Sequence, residues 1–159
     1  MDIKKVILKD KDIAFMINDL SEESILDRAG LALNKGVKMI LFYNKTLGDK
    51  QNLKIAKKLR QLCSLFGALF IVLSRVDIAE LSQSDGICLF EHDFNLSDTK
   101  KILHEDKLFG MYVYTKDNII TAKENQFDFV IIEKNIEATI CDKLNELIDT
   151  KIIRLARII

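Results

Sequence analysis

Glu91, His92 and Asp93 put two carboxylates and an imidazole directly after a short apolar run, Ile87–Leu89. Carboxylate oxygens and imidazole nitrogens are metal ligands, so Asp93 and Glu91, with His92 beside them, form the candidate cation site. A second polar group, Ser74, Arg75 and Asp77, follows the apolar run Leu69–Leu73. An arginine fork can grip two phosphate oxygens, or it can close on a nearby carboxylate and pin a loop. Asp77 falls at a helix start, where an acid also suits the dipole, so a local Arg75–Asp77 pair is the simpler use. A third group, Tyr43, Asn44 and Lys45, follows the run Val37–Phe42. Phe42 and Tyr43 can stack on a flat ring, although filling a core is the commoner role of such rings. Tyr112 and Tyr114 alternate with Met111 and Val113, a pattern that strand packing explains.

Elements must bring these groups together. Ile3–Leu8 and Ile13–Ile17 read as strands around the polar turn 9–12. Ser21 reads as an N-cap with Glu22 and Glu23 behind it, opening a helix over 22–35 that stops at Gly36. Val37–Phe42 is the next strand. A helix over 50–66 carries Leu53, Ala56, Leu59, Leu62, Cys63 and Phe66 on one stripe and ends at Gly67. Strands follow at Leu69–Leu73, Ile87–Leu89, Leu108–Tyr114 and Phe129–Ile132, with helices at 76–82, near 98–104 behind Ser97, and at 116–125. Strands alternate with helices, and several strands are apolar on both faces. That pattern predicts a parallel sheet covered by helices, either doubly wound or a (β/α) barrel. Both architectures collect their sites at strand C-termini, where all three polar groups lie.

Composition excludes several classes. The 159 residues suit one domain, 1–159, and 48% are hydrophobic, enough for a core. Lys and Arg number 24, as do Asp and Glu, so nothing favours nucleic acid as a partner. No apolar run approaches the ~20 residues of a membrane span, and no signal peptide opens the chain. The three cysteines are scattered and read as reduced thiols of a cytoplasmic protein.

The order and spacing of Tyr43-Asn44-Lys45, Ser74-Arg75-Val76-Asp77, Ser84-Asp85-Gly86 and Glu91-His92-Asp93 resemble the thiamine phosphate synthase and TenI-like family. The resemblance covers roughly residues 13–133. It implies a TIM-type (β/α) barrel that joins a pyrimidine pyrophosphate to a thiazole phosphate with Mg²⁺ and releases pyrophosphate. By this resemblance Lys45 and Arg75 would bind phosphate, and Asp93, with Glu91 beside it, would hold Mg²⁺. Tyr43, Ser74, His92 and Tyr112 would line the pocket. Departures are as plain as the matches. The family's phosphate-binding arginine, asparagine and serine correspond to Tyr43, Leu73 and a position near Tyr112, and its first Mg²⁺-binding Asp corresponds to Ser74. No glycine follows Gly110, so the family's glycine-rich phosphate cup has no counterpart. The expectation is a truncated or rearranged barrel with weak or absent synthase activity, or a non-catalytic binding or scaffold protein. Its ligand would be a phosphorylated small molecule.

The stretch 136–159 reads in two ways. Ile140, Leu144, Ile148, Ile152, Leu155 and Ile159 fall on one helical stripe. Alternatively a helix over 136–149 precedes a strand over 151–158. About six βα units leave a barrel edge uncovered. The segment would then cover that edge or bind a second copy, giving a homodimer.

Overall fold

A computed structural model describes residues 2–18 and 21–156 of the chain. Seven parallel strands close into a barrel in chain order: β1 (Ile13–Ile17), β2 (Met39–Phe42), β3 (Leu69–Leu73), β4 (Gly86–Leu89), β5 (Leu108–Val113), β6 (Phe129–Ile132) and β7 (Lys151–Ala156). The helices are α1 (Ile3–Leu8), α2 (Glu22–Asn34), α3 (Asp49–Leu65), α4 (Val76–Leu81), α5 (Leu96–Thr99), α6 (Lys116–Glu124) and α7 (Lys134–Leu144). Among the described residues no helix is long and apolar enough to cross a membrane.

Alternation along each strand divides the core in two. Ala14, Met39, Leu41, Ile71, Leu73, Cys88, Tyr112, Phe129, Ile131 and Ile153 fill the barrel. Phe15, Ile17, Ile40, Phe42, Phe70, Val72, Met111, Val130 and Ile132 face the helices. Each fully buried Leu, Ile or Phe contributes about 1.5–3 kcal/mol, so both layers matter to stability. Gly110 makes room for a large ring inside the barrel: a Cβ there would fall on the Phe129 ring. Asp85 and Asp128 stand immediately before β4 and β6, their carboxylates accepting the N–H of Phe70 (2.8 Å) and of Phe109 (2.9 Å) on the preceding strands.

Three expectations are corrected. Ile3–Leu8 is a helix, not a strand. The barrel is closed and offers it no edge, Asp2 caps its first turn by accepting from the Lys4 N–H, and Leu8 packs with the barrel-filling residues. The cap before β5 is Asn95 rather than Ser97, and the helix it opens is the short α5. The uncovered edge is absent: β7 pairs with β6 and with β1 (Ile13 opposite Arg154, Phe15 opposite Ala156) and so completes the barrel. The helix-then-strand reading of 136–159 is therefore the one observed. Its continuation over Arg157, Ile158 and Ile159 lies outside the described residues.

Candidate functional site

The polar groups meet at the C-terminal mouth of the barrel. Ser74 leaves β3 with φ +67°, a left-handed backbone that turns its side chain toward β4. Its hydroxyl donates to Asp93 Oδ1 at 2.7 Å, and its N–H donates to the Cys88 carbonyl at 2.9 Å. The other Asp93 oxygen accepts the Phe90 N–H at 2.8 Å. Both oxygens of the expected Mg²⁺ ligand are thus engaged, Oδ1 in tying the β3 loop to the β4 loop and Oδ2 in closing the β4 loop on itself. Glu91 and His92 are exposed, and His92 Nε2 stands 3.8 Å from Asp93. Among the described residues no three His, Cys, Asp or Glu form a group that could hold a metal ion. The residues present do not fit a Mg²⁺ site of the protein's own.

Arg75 is committed in the same way. Its guanidinium donates to both oxygens of Asp77, at 3.0 and 2.8 Å, and lies 3.1 Å from the Asp49 carboxylate at the start of α3. The Arg75 hydrogen bonds hold the Asp77 carboxyl below the usual carboxylate range, against partial burial. The sequence-expected pair is observed, and Asp49 joins it from another loop.

Aromatic rings occupy the centre of the mouth. Phe90 lies 5.5 Å from Tyr43, 5.3 Å from Tyr112 and 5.7 Å from His92, between ring centroids. Tyr114 lies 4.9 Å from Tyr112. Lys45 is exposed, with Nζ 5.3 Å over the Tyr43 ring. Tyr112 is buried and donates to Glu133 Oε1 at 2.6 Å; burial first, then that carboxylate, pushes the phenol well above its ordinary value. The structure therefore brings Tyr43, His92, Tyr112 and Lys45 into one cluster and Ser74 with Asp93 into another, while Arg75 turns to Asp77 and Asp49. Sequence reasoning left Phe90 and Glu133 out of the site and put Tyr114 down to strand packing. Glu133 had a signal, since a buried tyrosine hydroxyl needs a partner and Glu133 directly follows β6.

The loop after β2 has its own framework. Asn44 Oδ1 accepts from the Thr46 N–H (2.9 Å), the Thr46 hydroxyl (3.1 Å) and the Leu47 N–H (3.0 Å), an Asx turn closed on itself. Asn52, in the first turn of α3, donates from Nδ2 to the Leu47 carbonyl at 3.0 Å and to the Asn44 carbonyl at 3.4 Å.

Comparison with known proteins decides the kinship. The family model described as thiamine monophosphate synthase matches residues 13–156. The chain belongs to this family. Thiamine-phosphate synthase of Nostoc punctiforme is 33% identical over 68% of the chain, and that of Prochlorococcus marinus 33% over 84%. The Clostridium perfringens (strain 13) synthase is 29% identical over 72%. These alignments cover 31%, 37% and 56% of the respective relatives, so the chain spans about a third to a half of their length. Thiamine phosphate pyrophosphorylase of Pyrococcus furiosus has the same fold, with TM-score 0.79 at 24% identity, covering 94% of this chain and 77% of that one. This member of the thiamine monophosphate synthase family has the barrel, with rings and ion pairs gathered at its mouth.

Proposed function

We propose that this chain is a thiamine phosphate synthase-like protein of thiamine metabolism in which the coupling reaction is weak or absent. The observation that carries the proposal is that Arg75 and Asp93, the surviving phosphate and metal positions, are spent on contacts within the protein. Coupling a pyrimidine pyrophosphate to a thiazole phosphate breaks a C–O bond and forms a C–N bond. Negative charge grows on the leaving pyrophosphate and must be met by preorganised donors; one such donor contributes about 3–4 kcal/mol. Lys45 is the remaining candidate phosphate donor, and its ammonium offers a compact charge rather than the two-pronged grip of an arginine. Any Mg²⁺ would arrive with a phosphorylated small molecule, held mainly by its phosphates.

The test mixes the pyrimidine pyrophosphate, the thiazole phosphate, Mg²⁺ and the protein, and follows thiamine phosphate and pyrophosphate. Little or no turnover is expected, and an ordinary enzymatic rate would overturn the proposal. A second reading, a non-catalytic binding or scaffold protein, is favoured by the ring cluster of Tyr43, Phe90, Tyr112 and Tyr114. Calorimetry with inorganic pyrophosphate separates the two: binding that does not change with Mg²⁺ supports the binding protein, whereas binding only with Mg²⁺ supports residual synthase character.

Self-association through the C-terminal segment is proposed in one form only. Because β7 already lies between β1 and β6, a homodimer using it would exchange this strand between two copies. A monomer in light scattering at micromolar concentration would end that proposal.

A further inference from the structure

Two buried amide atoms at the mouth have no protein partner, Asn44 Nδ2 and Asn52 Oδ1. Neither can be relieved by turning its amide over. Asn44 Oδ1 is fixed by three donors, and Asn52 Nδ2 by two carbonyls. Asn44 is 7% exposed and Asn52 3%. Both line a small cavity of about 10 Å³ between the β2–α3 loop and β3, with Phe42, Val72, Leu73 and Ile78 among its walls. The space suits one occupant the size of a water molecule. Of the two amides that line it, one has an N–H donor to place and the other a carbonyl acceptor. An occupant must accept the first and donate to the second. A metal cation or ammonium cannot accept the Asn44 N–H, and a halide cannot donate to the Asn52 carbonyl. Water does both.

We infer that this cavity is a binding site for a single internal water, bridging Asn44 to Asn52, and that this water fastens the loop carrying Lys45 to α3. The loop already holds itself through the Asx turn and is held to α3 by the Asn52 amide. The bridge completes the hydrogen bonding of both side chains, which a buried amide otherwise leaves at a penalty. The inference does not depend on whether the chain couples substrates, because the loop is built this way without them.

The test is water-to-protein cross-relaxation in the ¹⁵N-labelled full chain. A long-lived water is expected to show a cross-peak to the Asn44 side-chain amide, and a crystal structure fine enough to show ordered solvent should place that water within hydrogen-bond reach of Asn44 Nδ2 and Asn52 Oδ1. No cross-peak, or a direct Asn44–Asn52 side-chain bond in the crystal, overturns it. Asn52→Leu fills the space and removes the acceptor together with the two direct Nδ2 bonds to Leu47 and Asn44, whereas Asn52→Asp removes those direct N–H bonds and keeps an acceptor for the water. In Asn52→Leu the cross-peak should vanish, and exchange of the Thr46 and Leu47 amide protons should be about tenfold or more faster than in Asn52→Asp, which keeps the cross-peak. Equal exchange in the two folded variants would refute the fastening role. Should either variant fail to fold, the wild-type spectrum and crystal still decide the water.

Discussion

Ser74 shows how one side chain can turn a ligand position into a structural tie. It stands where the family resemblance expects a Mg²⁺-binding Asp, with a left-handed backbone that Asp also tolerates. Ser74→Asp would bring a second carboxylate against Asp93, replacing a hydrogen bond with like-charge repulsion. The variant is expected to melt below the wild type in chelator and to recover with Mg²⁺, whereas the wild-type Tm stays unmoved by the ion; equal Mg²⁺ responses would contradict this. Arg75 makes the matching case for charge. A carboxylate depressed by its partner adds stability above its unfolded pKa and loses it as the pH falls through the folded value. Arg75→Gln removes the hydrogen bonds that depress Asp77. The Tm gap between wild type and Arg75→Gln should be widest near neutrality and close in acid, below the ordinary carboxylate range. It should also be small, because the pair is partly in water. A gap that widened in acid would reverse the sign and reject the account. The Arg75–Asp77 contact was legible because its members are two residues apart. Ser74–Asp93 and Arg75–Asp49 were not, since each joins different loops.

Four helices end in one way. α2, α3, α4 and α6 are followed by Gly36, Gly67, Gln83 and Gln126, all with positive φ. In each case the next N–H reaches back to close the turn: Val37 to Ala32, Ala68 to Cys63, Ser84 to Ala79 and Phe127 to Ala122. Two of the four positions are glycine, the residue that bears this backbone without strain, and two are glutamine, which does not. Gln83→Gly and Gln126→Gly are each expected to stabilise the protein by about 0.5–1 kcal/mol, less than the full left-handed penalty because glycine also loosens the unfolded chain. Urea midpoints measure this, and a lower midpoint for both would show that the glutamine side chains matter more than the backbone. The glycine-ended helices were legible, as was the Ser21 cap. The glutamine-ended ones carry no such mark. Ile3–Leu8 misled for a related reason: its residues favour strands, but no strand in the closed barrel was left for it to pair with.

At the scale of the whole molecule, β7 was the least legible element. Its apolar residues fit a helical stripe and a strand alternation equally, and the decision rests on partners far away in the chain. Between β6 and β1, Ile153 and Leu155 pack with the barrel-filling residues, while Arg154 lies outside in an ion pair with Glu137 (2.7 Å). Deleting residues 150–159 removes a whole stave. The expected product is an insoluble or unfolded chain, checked by circular dichroism and solubility. A soluble, cooperatively melting deletion would show that the remaining strands close without β7.

The pairing of Ile13 with Arg154 also sets an order of events in time. Of the seven described strands β1 is made first, yet its neighbour on one side, β7, is made after the other six. Until β7 arrives, β1 and β6 each present an unsatisfied row of backbone groups, the exposed edge that invites pairing with another chain. Pairing of such sequence-distant segments is slow, because the loop must close before any contact rewards it. The barrel thus has a seam between its first and seventh strands, and its exposure to aggregation is greatest in the interval between the making of β6 and the docking of β7.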